Sequence, residues 1–333
     1  MLKVEDIESI CAAAAEPEPS PHPALPPPLT LQRRFYPLGF PLDVRTNSME
    51  VLGQCETQWG HFEQRFDTDP MLAEIHVVES DQADCPPQPQ YRFLEPMLIA
   101  VADTNHYFVA DISCTRTKVV VSSAALQHPL YFRYFFLEGA AGVHIATRHS
   151  TPIHAGCVTL NGRGVLLCGD SGAGKSSLSF ACARAGWGYV SDDASFLLHG
   201  RSIVGNCHQV RLRPTAGDLF PEIDGLPLTP RAEGKPSIEV STIPLQHIRR
   251  QPCAQVNFIV FLNRRTGGAS GLFPYSREVA RRYLRQVLYG TPETLGRQYA
   301  CIERLLEVNV LELRYQKLDE AVERLRALVT EGR

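Results

Sequence analysis

Gly169, Gly174, Lys175 and Ser176 stand in the spacing Gly-x-x-x-x-Gly-Lys-Ser, and Ser191-Asp192-Asp193 follows a short way downstream. Together these residue types suit phosphate chemistry. The glycines let the backbone turn tightly and bring its N–H groups up to an anion. A lysine at the end of such a turn adds a point charge for terminal phosphates. The adjacent serine hydroxyl suits Mg²⁺, which prefers oxygen ligands. Gly169, Asp170, Ser171, Gly172, Ala173, Gly174, Lys175, Ser176 and Ser177 are thus the candidate contacts of a nucleotide such as ATP. Paired aspartates beside them could bind the same cation or accept a proton from an attacking hydroxyl. The alternative for Asp192-Asp193 is an acidic turn that caps the next element.

The flanking pattern supplies the elements that must position these residues. Val165 to Cys168 is a short apolar run, read as a buried strand entering the loop. A helix is expected from about Lys175 to Ala185, stopping at Gly186 and pointing its positive N-terminal end at the phosphate position. Cys157 to Leu160 reads as another strand, joined to the first through Asn161-Gly162-Arg163-Gly164. So short a connection makes the two strands antiparallel, so the sheet is expected to be mixed rather than purely parallel. Trp187 to Val190 is a strand that delivers the aspartates at its end. Ser195 to Leu198 and Arg201 to Val204 read as a hairpin. Beyond them come a basic segment at Arg211 and Arg213, a strand at Phe258 to Leu262, two helices within 277–307, a strand from Val308 and a closing helix from Asp319. Arg211, Arg213 and Lys235 are candidate cations for transition-state charge or for the acceptor, and read equally well as solvated surface residues.

The rest of the chain is quieter. Residues 1–30 open with a short helical pattern from Val4 to Ala15, and the seven prolines between Pro17 and Pro28 exclude helix and sheet ladders there and indicate a flexible tail. Residues 31–128 read as a smaller, strand-rich α+β domain without recognisable chemistry, and a helix is expected at 129–148 with Leu130, Tyr134, Leu137, Ala141 and Ile145 on one face. The second domain is taken as 129–333. The net charge of −3 gives no sign of a nucleic-acid partner. No apolar run approaches the ~20 residues that span a bilayer. The acidic start of the chain lacks a signal-peptide core, which points to the cytoplasm. Ten cysteines without a C-x-x-C pair read as reduced thiols.

Within 153–199 the sequence resembles the HPr kinase/phosphorylase family in its C-terminal catalytic domain. The resemblance rests on Ile153-His154-Ala155-Gly156, Gly164-Val165-Leu166-Leu167, the glycine loop and Ser191-Asp192-Asp193. Arg211 and Arg213 before Pro214, Gly234-Lys235 and the closing Leu313-Arg314-Tyr315 extend it over about 150–333. The resemblance implies a P-loop nucleotide-binding core of the phosphoenolpyruvate carboxykinase-like kind, within an α/β fold. It implies an ATP- and Mg²⁺-dependent kinase acting on a serine of a protein or peptide, and it is compatible with a homo-oligomer. By position it assigns Lys175 and Ser176 to phosphate and metal, Asp192 to Mg²⁺, Asp193 to the general base, and His154 to the family's active-site histidine. Where the family carries Glu-x-Arg-Gly, this chain has Gln209-Val210-Arg211-Leu212. A neutral glutamine holds Mg²⁺ less strongly than a carboxylate, so neither the phosphorylase reaction nor HPr as acceptor is carried over. A nucleotide-binding regulator without phosphotransfer, and a small-molecule kinase on the same core, are the alternatives.

Overall fold

The computed structural model describes residues 27–229, 236–265 and 267–332. Most of the proline-rich tail, together with Gly234 and Lys235, lies outside the described residues.

The first part of the chain builds a seven-stranded sheet. In chain order its elements are β1 (Leu31–Phe35), β2 (Leu42–Thr46), helix α1 (Met49–Trp59), β3 (Met71–Val78), β4 (Gln90–Leu94), β5 (Met97–Asp103), β6 (His106–Asp111) and β7 (Arg116–Ser122). The strand order is β1-β2-β3-β7-β6-β5-β4, with β2, β3 and β7 parallel and the other pairs antiparallel. In β3 the two-residue alternation is plain: Met71, Ala73, Ile75 and Val77 are buried and their neighbours half-buried. Helix α1 has no counterpart in the reading of the sequence. Val51, Leu52, Cys55 and Trp59 form its buried face.

An unbroken helical run follows, here α2, made of Pro129–Phe132, Arg133–Leu137, Glu138–His144 and Ile145–His149. The second and fourth segments are π-helical. Each π turn carries an extra residue, so the apolar face shifts along the run. Leu137, Ala141 and Ile145 are buried as expected, but Leu130 and Tyr134 are only half-buried, and Phe132, Phe135 and Phe136 fill the interior in their place. These side chains belong to the same core as Ile75, Phe108 and Val119 of the first sheet.

The second sheet has ten strands and is mixed. Its elements are β8 (Thr151–His154), β9 (Gly156–Leu160), β10 (Arg163–Cys168), α3 (Lys175–Arg184), β11 (Gly188–Ser191), β12 (Ala194–Leu197) and β13 (Ser202–Gly205). After β14 (Gln209–Leu212), β15 (Leu228–Thr229) and β16 (Ser237–Ser241), which form a small sheet of their own, come β17 (Arg249–Arg250), β18 (Cys253–Arg264), β19 (Gly271–Pro274), α4 (Arg277–Arg285), α5 (Pro292–Leu305), β20 (Asn309–Tyr315) and α6 (Leu318–Glu331). β10 and β20 run parallel to β18, while β9 and β11 are antiparallel neighbours on the far side of β10. β9 and β10 pair antiparallel with Leu160 opposite Arg163 and Thr159 opposite Gly164. The connection is therefore Asn161-Gly162 alone, with φ of 52° and 76°. A two-residue primed turn needs two such positive values, which Asn and Gly tolerate best. Arg163 and Gly164 already belong to the ladder, so the turn is tighter than the four-residue connection read from the sequence. Alternation along β10 sorts the layers: Val165 and Leu167 face α3 and α6, and Leu166 and Cys168 face α4 and α5.

Candidate active site

The glycine loop joins β10 to α3. Gly169, Gly172 and Gly174 have φ of 148°, 94° and 101°, in the region that glycine adopts without a Cβ penalty. Gly174 is the N-cap of α3, so the helix begins at Lys175 with its N–H groups aimed into the loop. The loop is pinned from two sides. The Gly169 N–H donates to the Tyr283 hydroxyl, which itself lies within donor distance of the carbonyls of Gly169 and His154, at 2.7 and 2.8 Å. The Tyr315 hydroxyl donates to the Ala173 carbonyl. Burial pushes the Tyr315 phenol up to about 12, so it stays a donor at neutral pH.

Lys175 is 4% exposed, and its Nζ donates to the Gly169 carbonyl at 2.8 Å and to His154 Nε2 at 3.0 Å. An ammonium only donates, so His154 Nε2 must accept and the ring proton must sit on Nδ1. Nδ1 lies 3.6 Å from Asp193 Oδ1, and Lys175 Nζ lies 3.5 Å from the same oxygen. His154, Lys175 and Asp193 thus form one cluster, because β8 and β12 pair with His154 opposite Ala194, next to Asp193. Around it Ser171, Gly172, Gly174, Ser176, Ser177, Arg213 and Arg264 line a cleft of about 160 Å³. Arg213 is exposed and donates to the Ser171 hydroxyl at 2.9 Å.

Asp192 is placed differently from Asp193, and Arg211, which lines the loop cleft and a second, larger cavity alike, has different partners from Arg213. Asp192 Oδ2 accepts the Arg211 backbone N–H at 3.0 Å, and Asp192 lines the larger cavity instead of the loop cleft. The Arg211 guanidinium is held between Glu138 at 2.6 Å and Glu239 at 3.2 Å, with Tyr134 stacked 4.5 Å away. Burial opposes its charge, but the two carboxylates outweigh burial and hold the guanidinium firmly protonated. Arg133 bonds Glu239 at 3.1 Å and Gln58 at 2.9 Å, which extends the network to α1. Gln209 lies at its edge, with Nε2 3.5 Å from Glu138. Lys235 lies outside the described residues.

No family model matches the chain. Over 120 residues it is 31% identical to the HPr kinase/phosphorylase of Verminephrobacter eiseniae, a match covering 35% of this chain and 36% of that one. Over that stretch the chain is similar to an HPr kinase/phosphorylase. It spans about a third of the length of the curated relative it matches. A solved structure, the HPr(Ser) kinase/phosphatase from Coxiella burnetii, aligns with a TM-score of 0.30 at 16% identity, over 55% of this chain and 99% of that one.

The sequence offered no sign of Glu138, Glu239, Gln58 and Arg133, or of Tyr283 as a clamp. Their partners stand far away along the chain, 73 residues in the case of Glu138 and Arg211. The cysteines near the loop are structural. Cys157, Cys168 and Cys182 are fully buried, and burial pushes the Cys157 thiol up to about 12. Cys85 and Cys114, by contrast, are exposed. Among the described residues no helix is long and apolar enough to cross a membrane.

Proposed function

We propose that this chain is a cytoplasmic ATP- and Mg²⁺-dependent kinase that transfers the γ-phosphoryl group to a serine hydroxyl of a protein or peptide. The observation that carries the reading is the position of Asp193. Its carboxylate stands 3.5 Å from Lys175 Nζ in the loop cleft and also lines the larger cavity beyond. A base at that junction can reach a hydroxyl entering from the cavity side while the phosphates lie on the loop side. The serine oxygen attacks the γ-phosphorus, its proton passes to Asp193, and the bond to the β-phosphate oxygen breaks as ADP leaves. Lys175 and the N–H groups of residues 169–177 hold the phosphates. His154 keeps Lys175 and Asp193 in register, and Arg213 and Arg264 lie where developing charge would need them.

Mg²⁺ fits the donor set. Among the described residues no cluster of three or more His, Cys, Asp or Glu side chains suits a metal. Mg²⁺ needs no such cage, since it keeps its waters and takes one or two protein oxygens beside phosphate oxygens. Ser176 would supply one such oxygen in the loop cleft, where the ion would neutralise phosphate charge; Asp192 is the second oxygen by the sequence assignment alone, since it lines the larger cavity and its Oδ2 accepts the Arg211 N–H. We also read the chain as two domains: the sequence divides them at 128/129, but α2 packs into the first core, so the division falls after His149, with Glu138 reaching the second region. The test is incubation with γ-labelled ATP, Mg²⁺ and serine-containing acceptors. Label on serine is the expected result. Nucleotide binding without transfer to any acceptor would favour the regulator.

A further inference from the structure

The larger cavity has a volume of about 740 Å³ and lies between the first sheet with α2 and the second sheet. Its wall is largely apolar and aromatic, with Trp59, Phe62, Phe93, Phe196 and Tyr289 among its residues. Polar side chains gather where Asp193 stands. There the Arg211 N–H ties Asp192, and the Arg211 guanidinium and Gln209 meet Glu138. Nothing in the phosphate chemistry of the loop calls for an apolar chamber next to the base.

We propose that this cavity receives bulky apolar side chains flanking the acceptor serine, presented on a short extended peptide segment. The proposal rests on the serine-kinase reading and adds the acceptor's chemical class. Cavities of ~300–1,000 Å³ enclose small ligands or a few side chains. A folded protein offers a contact patch of roughly 800 Å² and cannot enter one. A peptide backbone buried in apolar surroundings would lose its hydrogen bonds with water without replacement. The backbone therefore stays at the polar end, beside Gln209, Glu138 and Asp192, which is also where the serine must meet Asp193. The apolar depth is left for the neighbouring side chains. A Phe or Leu transferred there from water gains roughly tenfold to a hundredfold in affinity over glycine.

Gly142 gives the test its handle. It lines the cavity from α2, and a Cβ added there meets no atom within 4 Å. Gly142→Ala therefore adds a methyl group without meeting a neighbour and leaves most of the cavity open, and Gly142→Leu carries a larger apolar group from the same point. The full chain is assayed with Mg²⁺, γ-labelled ATP and serine-centred peptides whose flanks carry Phe, Leu or Gly. The wild type should favour apolar over glycine flanks by roughly tenfold to a hundredfold in kcat/KM. Gly142→Ala should keep that ratio and Gly142→Leu should bring it towards one. A wild-type ratio near one overturns the proposal and leaves the kinase reading standing, as does a ratio that survives in a folded Gly142→Leu variant. If the leucine variant does not fold, the wild-type ratio decides alone. Transfer to free hydroxyl compounds but to no peptide, or no transfer at all, overturns the proposal together with the serine-peptide reading.

Discussion

The two cavities that meet at Asp193 are built in opposite ways. The loop cleft takes its phosphate-facing side from one continuous stretch, Ser171 to Ser177, and the rest of its wall from His154, Asp193, the segment from Arg211 to Leu219, and Arg264. It is small, polar and cationic. The larger cavity takes its wall from residues scattered between Pro37 and Tyr289, and most of them are apolar. A binding surface for a fixed chemical group can be written as a local motif, because the phosphate always presents the same oxygens. A surface for a variable partner is assembled from distant elements. Substitutions in the two cavities should therefore separate: those in the cleft should change nucleotide handling, and those in the wall or its supports should change stability or acceptor choice.

The largest effect is expected at Lys175. Lys175→Ala removes the ammonium that faces both the loop carbonyl and Asp193, and measurable ATP·Mg²⁺ binding should vanish while the thermal melt stays cooperative. Calorimetry checks this, and wild-type affinity in the folded variant would empty the cleft of its assigned role. Next comes Asp193→Asn, which keeps a hydrogen-bonding side chain but no useful base near neutral pH. Transfer should fall by about 10²–10⁴ with nucleotide affinity retained. If Asp192→Asn gives that result and Asp193→Asn raises the Mg²⁺ requirement, the two roles are exchanged.

Arg211 and Arg213 sharpen the comparison, since a single residue separates them in sequence, both line the cleft, and the fold gives their side chains different partners. Arg211→Ala would leave Glu138 and Glu239 facing each other in a largely buried site. Loss of one partner from such a cluster costs about 3 kcal/mol, which urea unfolding would register. Arg213→Ala removes only an exposed contact to Ser171, so stability should stay within about 0.5 kcal/mol. Its effect should be confined to a severalfold loss of ATP affinity. Equal destabilisation by both substitutions would break the distinction.

Legibility follows the same division. The loop, the β9–β10 hairpin and the strand ending at the aspartates are local patterns. Glycine, Asn-Gly and a short apolar run each restrict the backbone within a few residues, so they can be read directly. Helix α1 was also local, with Val51, Leu52, Cys55 and Trp59 on one side. Gln54 and Gln58 are buried on it as well, because they bond to the Leu126 carbonyl and to Glu138, and this blurs the apolar stripe. The π turns of α2 shift its face in a way that no fixed period reveals. The Arg211 network could not be read at all, for each of its ion pairs joins separate elements of the fold.

The last expected effect concerns acid, and it falls on α2 rather than on the cleft. His144 lies on α2, fully buried. Its Nε2 stands 2.8 Å from the Thr117 hydroxyl, which itself donates to the Ala140 carbonyl and so accepts from the ring. The proton is then on Nε2, and Nδ1 is buried without a hydrogen-bond partner among the described residues. A second proton would place an unpaired charge in the first core, and burial, with a smaller contribution from His149, lowers the His144 pKa from 6.5 to about 4. His149, on the same helix, is lowered too, first by burial and then by Arg148. The unfolded chain takes up these protons as pH falls through 6.5; the folded chain does so later, and at His144 only near 4. The stability contributed by the neutral rings is therefore complete above 6.5, is lost progressively down to about 4, and falls no further below that. For His144 the loss is on the order of 3 kcal/mol. Hydrogen-exchange protection of α2 should drop over this range more than that of α3, which carries no histidine. His144→Gln should flatten the decline in α2 at the cost of some stability at neutral pH. A variant with an unchanged acid profile would move the sensitivity elsewhere in the molecule.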